Sequence, residues 1–168
     1  MNLKHALFGL GLALVTAASV NAQSTEVAFG GLQHDSSLPV EIASDQLQVS
    51  QSEGTATFIG NVIIGQGEMR ISAAKAVVFY ETAEGEPTGE VSSMLATGGV
   101  TVVNGNEAAE ADQADYSVAD ETILMTGNVI LTQGRNAISA ETMLIDLNKG
   151  TAALDGRVRT ILQTGGNN

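Results

Sequence analysis

The chain has 168 residues, no cysteine and a formal net charge of −12, which at this length points to one domain. Seven Lys and Arg against 19 Asp and Glu leave no basic face for nucleic acid, and the lack of cysteine removes disulfides, thiolate metal sites and thiol nucleophiles. Two histidines offer little for a metal site or a His-based triad, whereas 43% apolar residues are too many for a disordered acidic tail.

Residues 1–22 read as a secretory signal peptide. Lys4 supplies a short positive start, Ala6–Ala18 is apolar and small, and Val20 and Ala22 are the small residues that precede a cleavage site before Gln23. The apolar stretch is shorter than the roughly 20 residues of a spanning helix. Cleavage leaves 146 residues, Gln23–Asn168, with a formal charge of −13 and a single histidine. An export signal without cysteine fits the periplasm of a bacterium with two membranes. Residues 23–37, rich in Gly, Ser and Gln, read as a flexible N-terminal arm before the first strand. Residues 38–162 form the folded domain, and residues 163–168 are a polar tail.

The folded stretch repeats itself. Gly60-Asn61-Val62-Ile63-Ile64-Gly65-Gln66-Gly67 matches Gly127-Asn128-Val129-Ile130-Leu131-Thr132-Gln133-Gly134 at an offset of 67 residues. The same offset pairs Ser44-Asp45-Gln46 with Ala111-Asp112-Gln113, and Ile71-Ser72-Ala73 with Ile138-Ser139-Ala140. Weaker copies begin at Gly98 and Gly156, each 29 residues from Gly127, while Gly60 and Gly98 are 38 apart. The extra length coincides with residues 81–90, a charged segment with Gly and Pro that reads as a loop.

Each unit has the two-residue period of strands. Ile123, Met125, Val129 and Leu131 share one parity, and Leu124, Asn128, Ile130 and Thr132 the other. Asn148-Lys149-Gly150 and Gln133-Gly134-Arg135-Asn136 are turn signals. The recurrent mid-strand glycine marks a bend or bulge. The expected fold is all-β, a meander of antiparallel strands of about ten residues that rolls up or folds into two facing sheets, because a flat sheet with one apolar face is insoluble. Its open ends leave edges that can accept another strand.

No catalytic constellation emerges, so an enzyme is not expected, nor is any cofactor or metal. His34 in the arm reads as a solvated linker residue. Glu107/Glu110 and Asp112/Asp115 could in principle serve as glycosidase-type carboxylate pairs, but their alternation with Ala and Gln suggests a solvated outer face. Asp45, Asp112 and Glu141 recur near strand starts, where capping a turn suits them better than binding calcium, since no ligand-dense loop is present. The aliphatic parity, poor in aromatics, is an ordinary core on its simplest reading; its small-to-medium lining could also admit flexible acyl chains.

The stretch Leu38–Tyr80 resembles the OstA-like family of lipopolysaccharide transport proteins. It has the Ile42-Ala43-Ser44-Asp45 opening, a hydrophobic strand into Gly60-Asn61-Val62 and Gln66-Gly67, and Ile71-Ser72-Ala73 before an apolar strand. Ala111–Leu147 repeats the pattern, and the resemblance is weakest at residues 81–97. It implies an elongated, twisted β-jellyroll of many antiparallel strands, open at both ends. It further implies a non-enzymatic carrier that holds the acyl chains of lipopolysaccharide in its interior and stacks head to tail. Such a carrier receives lipid from an inner-membrane LptC-like protein and passes it to an outer-membrane LptD-like protein. One departure is visible: many members have Asp after the Ile-x-Ala step, whereas Ala73 is followed here by Ala74. The short tail would leave the last strand's edge accessible.

Parity and resemblance together assign the groove lining to Val40, Ile42, Phe58, Val62, Ile64, Ile71, Val78 and Tyr80 in the first copy. Tyr116, Met125, Val129, Leu131, Ile138 and Ile145 follow in the second. Two other readings stay open: a membrane-tethered LptC-like partner of the same pathway, and a structural or glycan-active periplasmic β-repeat protein.

Overall fold

The computed structural model describes residues 25–29 and 38–163. The signal peptide, His34 and most of the arm therefore lie outside the described residues. The elements in chain order are β1 (Thr25–Ala28), β2 (Glu41–Ala43), β3 (Gln46–Ser50), β4 (Thr55–Gln66), β5 (Met69–Ala83) and β6 (Glu86–Asn104). They continue with β7 (Glu107–Ser117), β8 (Thr122–Gln133), β9 (Asn136–Asp146), β10 (Thr151–Asp155) and β11 (Arg159–Ile161). All belong to one antiparallel sheet in the order β1-β10-β9-β8-β7-β6-β5-β4-β2, with β3 also on β4 and β11 also on β9.

The long strands do not run straight. Register breaks fall between Ile59 and Val62, Ser72 and Lys75, Thr97 and Val100, Glu110 and Gln113, and Thr126 and Val129. They line up from strand to strand, and a bulge bends the strand that carries it. A shared fold line thus divides the sheet into two leaves. One holds β3, β10, β1 and one half of each of β4 to β9; the other holds β2, β11 and the remaining halves. Residues of one parity from both leaves form a single buried cluster, so the leaves face each other as a β-jellyroll. Met125, Val129, Leu131, Met143 and Ile145 are fully buried there, each contributing roughly 1.5–3 kcal/mol by removal from water.

The fold line is built by a recurring pair. Gly60 and Asn61 have φ of 81° and 45°, and Gly127 and Asn128 have φ of 82° and 49°. Asn61 Nδ2 donates to Asp45 Oδ2 at 2.8 Å and Asn128 Nδ2 to Asp112 Oδ2 at 2.9 Å. At the third such corner Arg157 Nε donates to Glu141 Oε1 at 2.7 Å. Glycine is required beneath the carboxylate, since a Cβ on Gly60 would lie 2.5 Å from Asp45 Oδ2.

Several expectations are corrected. Thr25–Ala28, assigned to the arm, is a strand, and it pairs with β10 from Thr25↔Leu154 to Ala28↔Thr151. This covers one edge of β10, whereas the last strand is β11, paired among the described strands with β9 alone. Asp112 and Glu141 stand at mid-strand bends rather than strand starts. Residues 81–90 are an extension of the β5–β6 hairpin turning at Glu84-Gly85, because backbone pairing outweighs their loop-like composition. The strands β4 to β9 have 11 to 19 residues, longer than the ten expected, because each continues through its bend.

Candidate functional site

At the β2 end of the roll the two leaves stand apart and leave a cavity of about 480 Å³. Its walls are Leu38, Val40 and Ile42 from one side and Val78, Tyr80, Val91, Met94, Tyr116 and Val118 from the other, with Gln66, Glu90 and Glu121 at its margins. This volume falls within the range of small-ligand sites, roughly 300–1,000 Å³. Burial pushes the Tyr116 hydroxyl above its ordinary value, and the charge of Glu121 adds to the rise. Tyr116 is accordingly neutral at physiological pH and presents an apolar ring with one hydroxyl.

Five of the sequence-assigned residues, Val40, Ile42, Val78, Tyr80 and Tyr116, meet in this cavity. Val40 stays 41% exposed at its mouth. Val62, Ile64, Ile71, Met125, Val129, Leu131, Ile138 and Ile145 are buried between the leaves, outside its lining, and Phe58 is half-buried against them. Sequence reading omitted Leu38, Val91, Met94 and Val118. Val91 and Met94 fall in the stretch where the repeat is weakest, and register shifts in β5–β6 interrupt the simple parity there.

A second feature runs along the ends of the strands in the β2–β11 leaf. The inward residue that closes β4, β6 and β8 is Gln66, Asn104 and Gln133, in each case six positions after the bend glycine at 60, 98 and 127. Their hairpin partners are Met69, Glu107 and Asn136. Arg70 sits opposite Val103, which brings Met69 alongside Asn104, and Glu107 is opposite Gln133. The result is a continuous rim of Gln66, Met69, Asn104, Glu107, Gln133 and Asn136, polar at every position but Met69. Gln66 Nε2 donates to Leu38 O at 2.9 Å. Gln133 Nε2 donates to Ala28 O at 2.5 Å and to Glu107 Oε1 at 2.9 Å, tying β1 of one leaf to the rim of the other. Glu107, expected on a solvated outer face, is thus a half-buried rim residue, whereas Glu110, Asp112 and Asp115 are exposed.

A family model described as LptA/(LptD N-terminal domain) LPS transport protein matches residues 41–151. The lipopolysaccharide export system protein LptA of Escherichia coli (strain K12) is 34% identical over 159 residues, covering 91% of this chain and 85% of that protein. LptA of Haemophilus influenzae is 28% identical over 159 residues, covering 89% of each. An uncharacterized protein of Rhizobium meliloti (strain 1021) is 30% identical over 161 residues, 92% of this chain and 86% of its own length. Among solved structures, LptH of Pseudomonas aeruginosa is described as the LptA-homologous periplasmic component of the lipopolysaccharide transport device. It superposes with a TM-score of 0.68 at 13% identity, over 78% of this chain and 99% of that one, a likeness of fold. The match over most of the folded domain and the similarity to LptA place this chain in the LptA/OstA-like family of lipopolysaccharide transport proteins.

Proposed function

We propose that the protein is a periplasmic carrier that holds the acyl chains of lipopolysaccharide between its two leaves and bridges the inner and outer membranes. The observation that carries this reading is the apolar cavity between the leaves, on a fold whose relatives are lipopolysaccharide export proteins. The flexible acyl chains suit an aliphatic wall, and their transfer from water is the driving force. The export-type segment at residues 1–22 supports a periplasmic location after cleavage. An LptC-like protein at the inner membrane and an LptD-like protein at the outer membrane are the expected neighbours, with head-to-tail stacking of further copies between them. Transport of this kind needs binding and release, not catalysis, so the protein acts as a carrier without a cofactor.

The test is a photocrosslinking residue at Tyr116, inside the cavity, and at its outward neighbour Asp115, in growing cells. Lipopolysaccharide adducts at 116 and not at 115 are expected. Adducts at 115 alone, or none at either position in exported, folded protein, overturn the reading.

A further inference from the structure

Asn104 is 1% exposed, and neither its Nδ2 nor its Oδ1 has a hydrogen-bond partner. The neighbouring Glu107 has one carboxylate oxygen held by Gln133 and the other, Oε2, buried and unpartnered. The two residues face each other across the β6–β7 hairpin, on the inward side of the rim. Buried polar atoms in native proteins are almost always satisfied, and one left unsatisfied is costly. At position 104 an apolar residue would serve a plain core better. The wall immediately behind them, Val102 and Ala109, is apolar and buried. The polar pair therefore stands where an apolar interior meets its rim.

We infer that Asn104 and Glu107 form a polar subsite for the head-to-chain junction of a bound lipid, the point where an acyl chain leaves its sugar. This deepens the lipid-carrying reading and rests on it. The unmet groups define the ligand chemistry. Asn104 Nδ2 needs an acceptor, and Asn104 Oδ1 and Glu107 Oε2 each need a donor. A hydroxylated acyl amide supplies one carbonyl acceptor and two donors, its N–H and its O–H. A simple acyl ester supplies the acceptor and no donor. The subsite therefore discriminates by leaving its own buried acceptors unpaired when the wrong linkage enters, a strong form of selection.

The experiment compares binding of an N-(β-hydroxyacyl)glucosamine with that of the O-acyl glucose ester of the same chain length, alongside urea unfolding of the ligand-free protein. Wild type is expected to bind the hydroxy-amide about tenfold more tightly, the worth of one well-made buried hydrogen bond. Asn104→Leu, which keeps the branched heavy-atom skeleton without its polar atoms, is expected to bind both lipids at the ester's affinity, with a ligand-free unfolding midpoint unchanged or raised. Glu107→Gln, which turns the acceptor into a donor, is expected to lose the preference as well and guards against a folding defect in the first variant. A preference that persists in both variants overturns the subsite and leaves the carrier reading intact. A lowered midpoint in ligand-free Asn104→Leu also overturns it, since the amide would then be serving the fold rather than a ligand. Wild type binding neither lipid overturns the carrier reading and the subsite with it.

Discussion

Asn128 Nδ2 donates to Asp112 Oδ2 at 2.9 Å, sixteen residues earlier in the chain, and Asn61 makes the same bond to Asp45 at 2.8 Å across the same interval. The pair locks a strand at its bend, and the bend is what turns one sheet into two facing leaves. A Cβ on Gly127 would collide with the Asp112 carboxylate, at a backbone φ of 82° that L-residues avoid. Gly127→Ala is therefore expected to lose at least about 2 kcal/mol in urea unfolding. Gly134→Ala, at φ 59° with nothing near its Cβ position, should lose only about 1 kcal/mol. Equal losses would deny the carboxylate its part.

The departure at Ala74 has a structural counterpart. Ala74 packs over Gly98, where a Cβ would come within 2.7 Å of its methyl, and the next residue is Gly99 rather than asparagine. Donor and acceptor are missing together. Ala74→Asp with Gly99→Asn should restore the pair seen at the other corners, with a coupling of about 0.5–1 kcal/mol in a double-mutant cycle. Additive single effects would mean that the corners are not equivalent.

Acid should loosen the β9–β10 turn. The side-chain hydrogen bond from Lys149 holds the Asp146 carboxyl below the ordinary carboxylate range, with its backbone N–H as the next cause; the same bond raises the Lys149 ammonium. A depressed carboxyl stabilises the fold above its unfolded value, and that contribution disappears as pH falls through the folded value. Lys149 is exposed and the pair lies at the surface of a turn, so the effect is small and salt-sensitive. Asp146→Asn should flatten part of the decline in unfolding midpoint between neutral and acid pH. An unchanged slope would remove the turn from the acid response.

Lipid binding should resist salt. A net charge of −12 gives no attraction for an anionic head, so affinity comes from acyl burial. Raising sodium chloride from about 0.05 M to about 0.5 M screens exposed charges, and is expected to leave the lipopolysaccharide affinity within about twofold or improve it. A fall of tenfold or more would require a cationic headgroup site.

Much of this was legible in the residues because its cause is local. The two-residue period that put Val129 inward and Ile130 outward is a property of any strand, and Val129 is buried where Ile130 is exposed. Asp112 showed itself by recurring 67 residues after Asp45, but not that it stood at a bend, because the bulge is defined only against the paired strand. Asn104 stands in Val102-Val103-Asn104-Gly105, a setting that any hairpin turn shares. Its offset from Gly98, equal to that of Gln66 from Gly60, was the available signal. The pairing of β1 with β10 joins residues more than 120 positions apart, and nothing in the composition of Thr25–Ala28 announces a partner so distant.

That distant pairing carries the last prediction. Phe29 is fully buried and its N–H bonds Gly150 O at 3.0 Å, so it anchors β1 along β10. Deleting its ring is expected to cost about 3–5 kcal/mol. The consequence reaches beyond stability. Without β1, the backbone of β10 becomes an unpaired edge, ready to accept a strand from another molecule. Phe29→Ala should therefore associate at concentrations where wild type does not, as read by sedimentation velocity. A second change, Val27→Pro, removes a backbone N–H of β1 while leaving Phe29 in place, and should act in the same direction. If both variants are destabilised yet sediment as wild type does, β1 supports the fold without guarding the edge.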